Sequence, residues 1–449
     1  MSTLSLVGLV LLAVTVLLVL VLAVRLHAFV ALLLTSLLVA VLGGIPLSEI
    51  AGIIEEGMGS TLGYIATVIG LGAMVGEMLR QSGGAEQIAK TLLATFGDDR
   101  APWALSITGL LVSIPVFLDV ALILFIPLVY TLTERTGKSL LFYAIPLLAG
   151  MAVAHSFIPP TPGPVAVAGL LGADLGWVIL FGFLAGVPSI VVGGILYGRY
   201  IGQRIHLEVP EAMREELTDV SDAETTMPAF SEALSVIGLP LLLILGGTVS
   251  DVALAEGTTL RAGLSFVGHP FVALVLAVLL AFYVLGIRSG YAMDDVQKIA
   301  TKGLEPVGLI ILVTGAGGVL GKVLVETGVG DTLAEAMAAS NLPVVLLAFL
   351  IAVVVRVSQG SATVSMVTAA GLVAPVIESG DYTDPVVGLT TIAIAAGATV
   401  LSHVNDSGFW LVGRFLGMDE EQTLRSWTVM ETIVGGVGFL VVLGLSLLF

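Results

Sequence analysis

The chain reads as an all-α polytopic membrane protein: two inverted repeats, about ten transmembrane helices, two re-entrant hairpins, and broken helices at a central site. Three observations predict this. Of 449 residues, 57% are hydrophobic and 11% charged, whereas a soluble domain carries about 25% charged residues. Apolar runs of bilayer-spanning length, about 20 residues, recur along the chain. The sequence also resembles itself at a separation near 245 residues.

The apolar runs place helices near 4–24, 28–44, 59–79, 140–172, 176–198, 233–249, 265–287, 304–325, 386–416 and 428–449. The first, LSLVGLVLLAVTVLLVLVLAV, lacks a basic start and an A-x-A site, so it is expected to remain as an uncleaved first helix. Two further stretches, 103–130 and 343–377, are interrupted by SIPVFLD and RVSQGSAT. Each has room for two half-helices but not two full spans. They are expected to be re-entrant hairpins, whose non-helical tips must be covered by protein or face a water-filled cavity.

The self-similarity defines the plan. GLGAMVGEMLRQSGGAE aligns with GAGGVLGKVLVETGVGD, so that Gly70, Gly72, Gly76 and Gly83 match Gly315, Gly317, Gly321 and Gly328, each 245 positions on. AGMAVAHSFIPPTPG meets AGATVLSHVNDSG, and LLGAD meets FLGMD. The glycine spacings read as close helix packing rather than a nucleotide loop. The first repeat is expected over 1–198, an acidic cytoplasmic linker over 199–232, and the second repeat over 233–449.

Basic loops stay in the cytoplasm. With the N-terminus outside, the basic residues from Arg25 to Arg425 fall inside, except Arg261 outside and Lys322 and Arg356 near membrane depth. The 70–80 segment then runs inward and its partner at 315–325 outward, which makes the repeats inverted. Inverted repeats with broken helices mark secondary transporters, which bind substrate where the halves meet.

Charge and cysteine content limit the alternatives. There are 34 Asp and Glu against 17 Lys and Arg, of which five are Lys. That acidic, Lys-poor surface fits a salt-adapted prokaryote, where screening weakens like-charge repulsion; ordinary acidic loops are the other reading. No basic patch suggests a nucleic-acid partner. Zero cysteines exclude disulfides and thiol chemistry, and five scattered histidines argue against a metal cage. No metal or cofactor is expected, and the coupling ion is left as proton or sodium.

Four interruptions carry the chemistry. RVSQGSATVS offers Arg356, Ser358, Gln359, Gly360, Ser361 and Thr363 at a half-helix end, where free N–H groups attract an anion such as a substrate carboxylate. Close packing of small residues is the competing reading. Arg356 either grips that carboxylate with two N–H groups or pairs with a protein acid. SHVNDSG presents Ser402, His403, Asn405, Asp406 and Ser407, with donors and acceptors suited to a polyhydroxylated solute. Asp406 and His403 are candidate proton carriers; His403 can equally hold the unwound segment. In SIPVFLD, Asp119 suggests ion or proton coupling, or else a helix cap. HSFIPPTPGP has four prolines within six residues, which end a helix. Ser156, Thr161 and the freed carbonyls there are candidate ligands, and His155, placed like His403, is a further coupling candidate.

These motifs resemble the gluconate permeases, sugar-acid/proton symporters within the ion transporter superfamily. GAGGVLGKVLVETGVGD, RVSQGSATVSMVTAAGL, SHVNDSGFW and HSFIPPTPGP carry the resemblance, which spans the whole chain. It implies proton-coupled uptake of gluconate or a relative (idonate, fructuronate, glycerate or D-serine) across the cell membrane. It also implies a mobile transport domain beside a scaffold, in a homodimer working as an elevator. No residue-by-residue assignment of the proton carrier comes with it. The rivals are a sodium-coupled carboxylate carrier, a channel and, remotely, an intramembrane hydrolase using Ser361 or an Asp119/Asp406 pair; no serine has a placed base.

Overall fold

The computed structural model describes residues 8–449 except 10–11, 14, 18, 98–99, 211–226, 329–342 and 405. Much of the expected linker, the far end of the second glycine motif and Asn405 therefore lie outside the described residues, as does part of the first apolar run. Among the described residues every regular element is helical.

Helices α1 (Ala28–Leu42), α2 (Leu47–Gln81) and α3 (Gly84–Phe96) lead to a helical hairpin of α4 (Ala101–Ser113) and α5 (Leu118–Thr136). Next come α6 (Leu140–Phe157) and α7 (Pro162–Leu171), separated by the proline-rich break, and the long α8 (Leu175–Arg204), with a π-helical stretch at Ile190–Leu196. The second half holds α9 (Phe230–Ala253), α10 (Thr259–Gly268), α11 (Pro270–Ser289), α12 (Met293–Leu304) and α13 (Val307–Glu326). A second hairpin, α14 (Val344–Gln359) and α15 (Ala362–Ser379), precedes the broken pair α16 (Asp384–Thr399) and α17 (Ser407–Leu416) and the closing α18 (Glu420–Leu448).

The order hairpin, broken helix, long helix thus occurs twice. The repeat also extends upstream of the motifs that revealed it. His27 caps α1 by accepting from Phe29 N at 3.3 Å, and His269 caps α11 by accepting from Phe271 N at 3.4 Å. The continuous α2 corresponds to α12 and α13, where Pro306 interrupts the second copy.

Among the described residues eight helices are long and apolar enough to cross a membrane. Three of the ten expected spans are not among them, because α1 has 15 residues, α16 has 16 and the first run is only partly described, while α15, expected as a hairpin arm, is long enough to be the eighth. Lipid-facing side chains such as Leu242 (71% exposed), Phe266 and Leu440 need no protein partner in a bilayer. The first broken helix is central instead, with 89% of the apolar window within Leu140–Leu171 buried, against 33% for Glu420–Leu448.

The hairpin arms are longer than half-helices: 13 and 19 residues in the first, 16 and 18 in the second. Each turn is made by its sequence. Gly360, at φ 86, reverses the second tip, and Ser361 caps α15 by accepting from Val364 N at 3.4 Å. The first tip turns through Ile114–Phe117 and presses on α2, where a Cβ at Gly76 would lie 1.8 Å from the Pro115 carbonyl oxygen. Glycine is needed there because backbone meets backbone. Gly317 and Gly371 play the same part between α13 and α15. These contacts give the glycine motifs their packing role.

Candidate substrate-binding site

The two broken helices stop and restart by different physics. Pro159, Pro160, Pro162 and Pro164 lack N–H donors, so α6 cannot continue into α7. Thr161 Oγ1 donates to Ala154 O at 3.2 Å and to Ile158 O at 2.5 Å, adding to the backbone bonds those carbonyls accept from Ile158 N and Thr161 N. The second break turns at Leu401, held in the left-handed region (φ 55) with its N–H donated to Thr432 Oγ1 at 3.2 Å. It ends at Asp406, whose Oδ1 accepts from Gly408 N at 3.0 Å and so caps α17.

Asp406 is also the centre of a buried network. Its Oδ2 accepts from Arg356 Nη2 at 2.6 Å and from Ser402 Oγ at 2.5 Å, and Ser402 Oγ accepts from Trp427 Nε1 at 2.7 Å. The ion pair is enclosed: side-chain exposure is 2% for Arg356 and 11% for Asp406. Charge-assisted bonds of this kind are the strong ones. Arg356 therefore pairs with a protein acid, yet Nε and Nη1 are buried and without a partner. The guanidinium keeps donors in reserve.

A cavity of about 480 Å³ joins all four interruptions. Asp119 comes from the first hairpin, His155 and Ser156 from the first break, Arg356, Ser361 and Thr363 from the second hairpin, and Asp406 and Ser407 from the second break. Residues from the start of α13, Pro306, Leu309 and Ile310, give it an apolar side. Asp119 is exposed and lies in the first turn of α5, where a carboxylate complements the helix dipole. His155 stands within electrostatic reach of Asp119, Asp406 and Arg356.

Other sequence candidates lie off the cavity. Ser402 is fully buried and committed to Asp406 and Trp427. His403 Nε2 lies 3.0 Å from Val357 O, tying the second break to the end of α14. Ser358 donates to Val354 O, and Thr161 lines a separate small crevice against α2. Gln359 Oε1 and Nε2 are buried and unpartnered beside the Gly360 turn, but do not line the cavity. Among the described residues no group of three or more His, Asp or Glu is placed to hold a metal ion.

Two cavity residues, Trp427 and Glu431 on α18, were not among the sequence candidates. A signal existed: Glu431 is an acid within an apolar helix, the same criterion that singled out Asp119. The run 428–449 read as a plain span and hid it.

A model of the GntP family permeases matches residues 4–448. The low-affinity gluconate transporter of Escherichia coli K12 is 43% identical over 98% of both chains. The L-idonate transporter of its Gnt-II system is 36% identical over 96% of this chain and 97% of its own. Among solved structures, Neisseria gonorrhoeae MtrF, described as one of a class of antimetabolite efflux pumps, superposes with TM-score 0.67 over 92% of this chain and 93% of its own, at 14% identity. The Alcanivorax borkumensis transporter YdaH does so with TM-score 0.57 over 90% of each chain, at 15% identity; both show the fold. With the family matched from end to end, and the relatives aligning over nearly their whole length, this multi-pass membrane protein belongs to the GntP family of permeases.

Proposed function

We propose that the protein imports gluconate or a closely related sugar acid by proton symport, with the cavity at the four helix interruptions as its substrate site. One observation carries this reading: a buried arginine, paired with Asp406 through Nη2 alone, lines the cavity and holds unused N–H donors. A substrate carboxylate fits that need. It takes the spare donors of Arg356 and the free N–H groups at the start of α15, beside Ser361 and Thr363. The hydroxylated tail extends toward Ser156, Ser407 and Asp119. The printed functions of the gluconate and idonate relatives support this substrate class.

The two hairpins and two breaks form the moving transport unit, and alternating access is of elevator type in a homodimer. The N-terminus faces outward, a reading that the distribution of basic residues supports. Counterflow of labelled gluconate into proteoliposomes tests the reading. Saturable exchange, with accumulation driven by an inward proton gradient and indifferent to replacing sodium by choline, is expected. No uptake of any aldonate under either gradient refutes it. Accumulation that needs sodium at fixed pH replaces proton coupling with sodium coupling.

A further inference from the structure

We propose that Glu431 is the group whose proton travels with the substrate: its carboxylate excludes the sugar-acid anion from the cavity, and its protonated form admits it. This rests on the symport reading above and names the residue that performs it.

Glu431 is 4% exposed on α18 and lines the cavity. Among the described residues it makes no hydrogen bond and no ion pair, unlike Asp406. Facing it are Arg356 from α14 and Asp406 from the second break, while His155 from α6 and Asp119 from α5 line the same cavity. It lies one helical turn beyond Trp427, whose indole anchors Ser402 and thereby Asp406 and Arg356.

The charges of the cavity explain why a proton is needed. Among the described lining residues Arg356 is the one cation, already matched by Asp406, while Asp119 and Glu431 add two negative charges. An arriving anion meets net repulsion in surroundings of low dielectric. A proton on Glu431 removes an unpaired charge that faces the guanidinium and leaves the Arg356 donors to the substrate. The neutral acid also escapes most of the desolvation cost that an unpartnered buried carboxylate carries.

The other titratable groups are less suited. A proton on Asp406 leaves the buried Arg356 without its counter-charge and weakens the cap of α17. Asp119 is exposed at a helix N-terminus, where its charge is hydrated. His155 Nδ1 is buried and unpartnered, so charging that ring adds a donor with nothing to receive it. In the cycle, Glu431 takes its proton from the outer solution before or with the anion. Both cross together, and the proton leaves to the cytoplasm after the substrate.

The test compares wild-type protein with Glu431→Gln in proteoliposomes. Glutamine imitates the protonated acid, so gluconate counterflow persists while pH-gradient-driven accumulation falls to an equilibrium ratio of one. Apparent affinity for gluconate, which in wild type weakens up to tenfold per pH unit once Glu431 is ionised, becomes flat with pH. A Glu431→Gln protein that still concentrates gluconate, with the wild-type pH slope, overturns the assignment. If that variant fails to fold, Glu431→Asp serves: accumulation continues with a displaced pH midpoint, and an unmoved midpoint overturns the proposal. Wild-type protein that exchanges gluconate with no response to a pH gradient overturns symport and assignment together. Wild-type protein that ignores gluconate but concentrates another acid on a pH gradient overturns only the substrate, and the same comparison is made with that acid.

Discussion

Asp406→Asn is the substitution that separates structural from coupling roles in this cavity. Its carboxylate accepts from three groups: Arg356 Nη2, Ser402 Oγ and Gly408 N. Asparagine keeps the shape but has one carbonyl oxygen and an NH₂ group that only donates. If the oxygen serves the α17 cap, the NH₂ group faces the guanidinium, donor against donor. If it serves Arg356, the cap is lost. Either way, Arg356 at 2% side-chain exposure loses its counter-charge. Removing one partner of a buried ion pair costs about 3–5 kcal/mol. Arg356 borders a cavity that water can enter, so the expected loss is near the lower end, about 3 kcal/mol. The assay is equilibrium unfolding in detergent of wild type, Asp406→Asn, Arg356→Met and the double variant. The double variant should recover at least half of the loss, because a neutral pair leaves no stranded charge. An Asp406→Asn protein within about 0.5 kcal/mol of wild type, the usual span for a neutral surface change, refutes the reasoning. This variant is also expected to lose transport through failed binding, so its loss of accumulation says nothing about proton carriage; Glu431→Gln, which leaves the ion pair intact, does.

Three further outcomes are expected. Arg356→Lys keeps a positive charge beside Asp406 but removes the planar fork, so initial-rate uptake should show KM for gluconate raised about tenfold or more, the worth of one charge-assisted hydrogen bond; an unchanged KM means the carboxylate binds elsewhere. Gly76→Ala places a Cβ against the Pro115 carbonyl and displaces the first hairpin tip near Asp119, costing about 1–3 kcal/mol as overpacking does and lowering transport; wild-type unfolding and uptake refute that contact. His403→Ala removes the contact with Val357 O outside the cavity, and the pH dependence of gluconate accumulation should survive it. Loss of that dependence identifies His403 as the carrier instead.

The four interruptions were legible because their residues leave a helix no alternative. Prolines in series remove donors, and Ser-Gln-Gly-Ser or Asn-Asp-Ser within apolar surroundings marks a turn whose polar groups need partners. The pairing inside the site was not legible. Arg356 and Asp406 are 50 positions apart, and nothing local tells whether an arginine meets a substrate or an acid. Hydropathy also hid whole elements. Helices α3 and α12 are amphipathic and short, and α2 begins at Leu47 because Glu49, Glu55 and Glu56 suit a helix while spoiling an apolar window. Glu431 escaped for the opposite reason: its helix is apolar enough that one acid did not disturb the reading.

The two halves use equivalent positions unequally, and this gives the site a direction. At the first break prolines and Thr161 settle the backbone with neutral groups, so that half brings hydroxyls, a histidine and the exposed Asp119 to the cavity. At the second break the backbone is settled by a carboxylate, which draws in the buried Arg356 and places both beside Glu431. A sugar acid has the same polarity, a charged head and a hydroxylated tail. On the function proposed above, its head belongs with the second half, where Arg356 and Glu431 line the cavity together, and its tail with the first. On that proposal, the residues that decide whether an anion binds are separate from those that decide which anion it is.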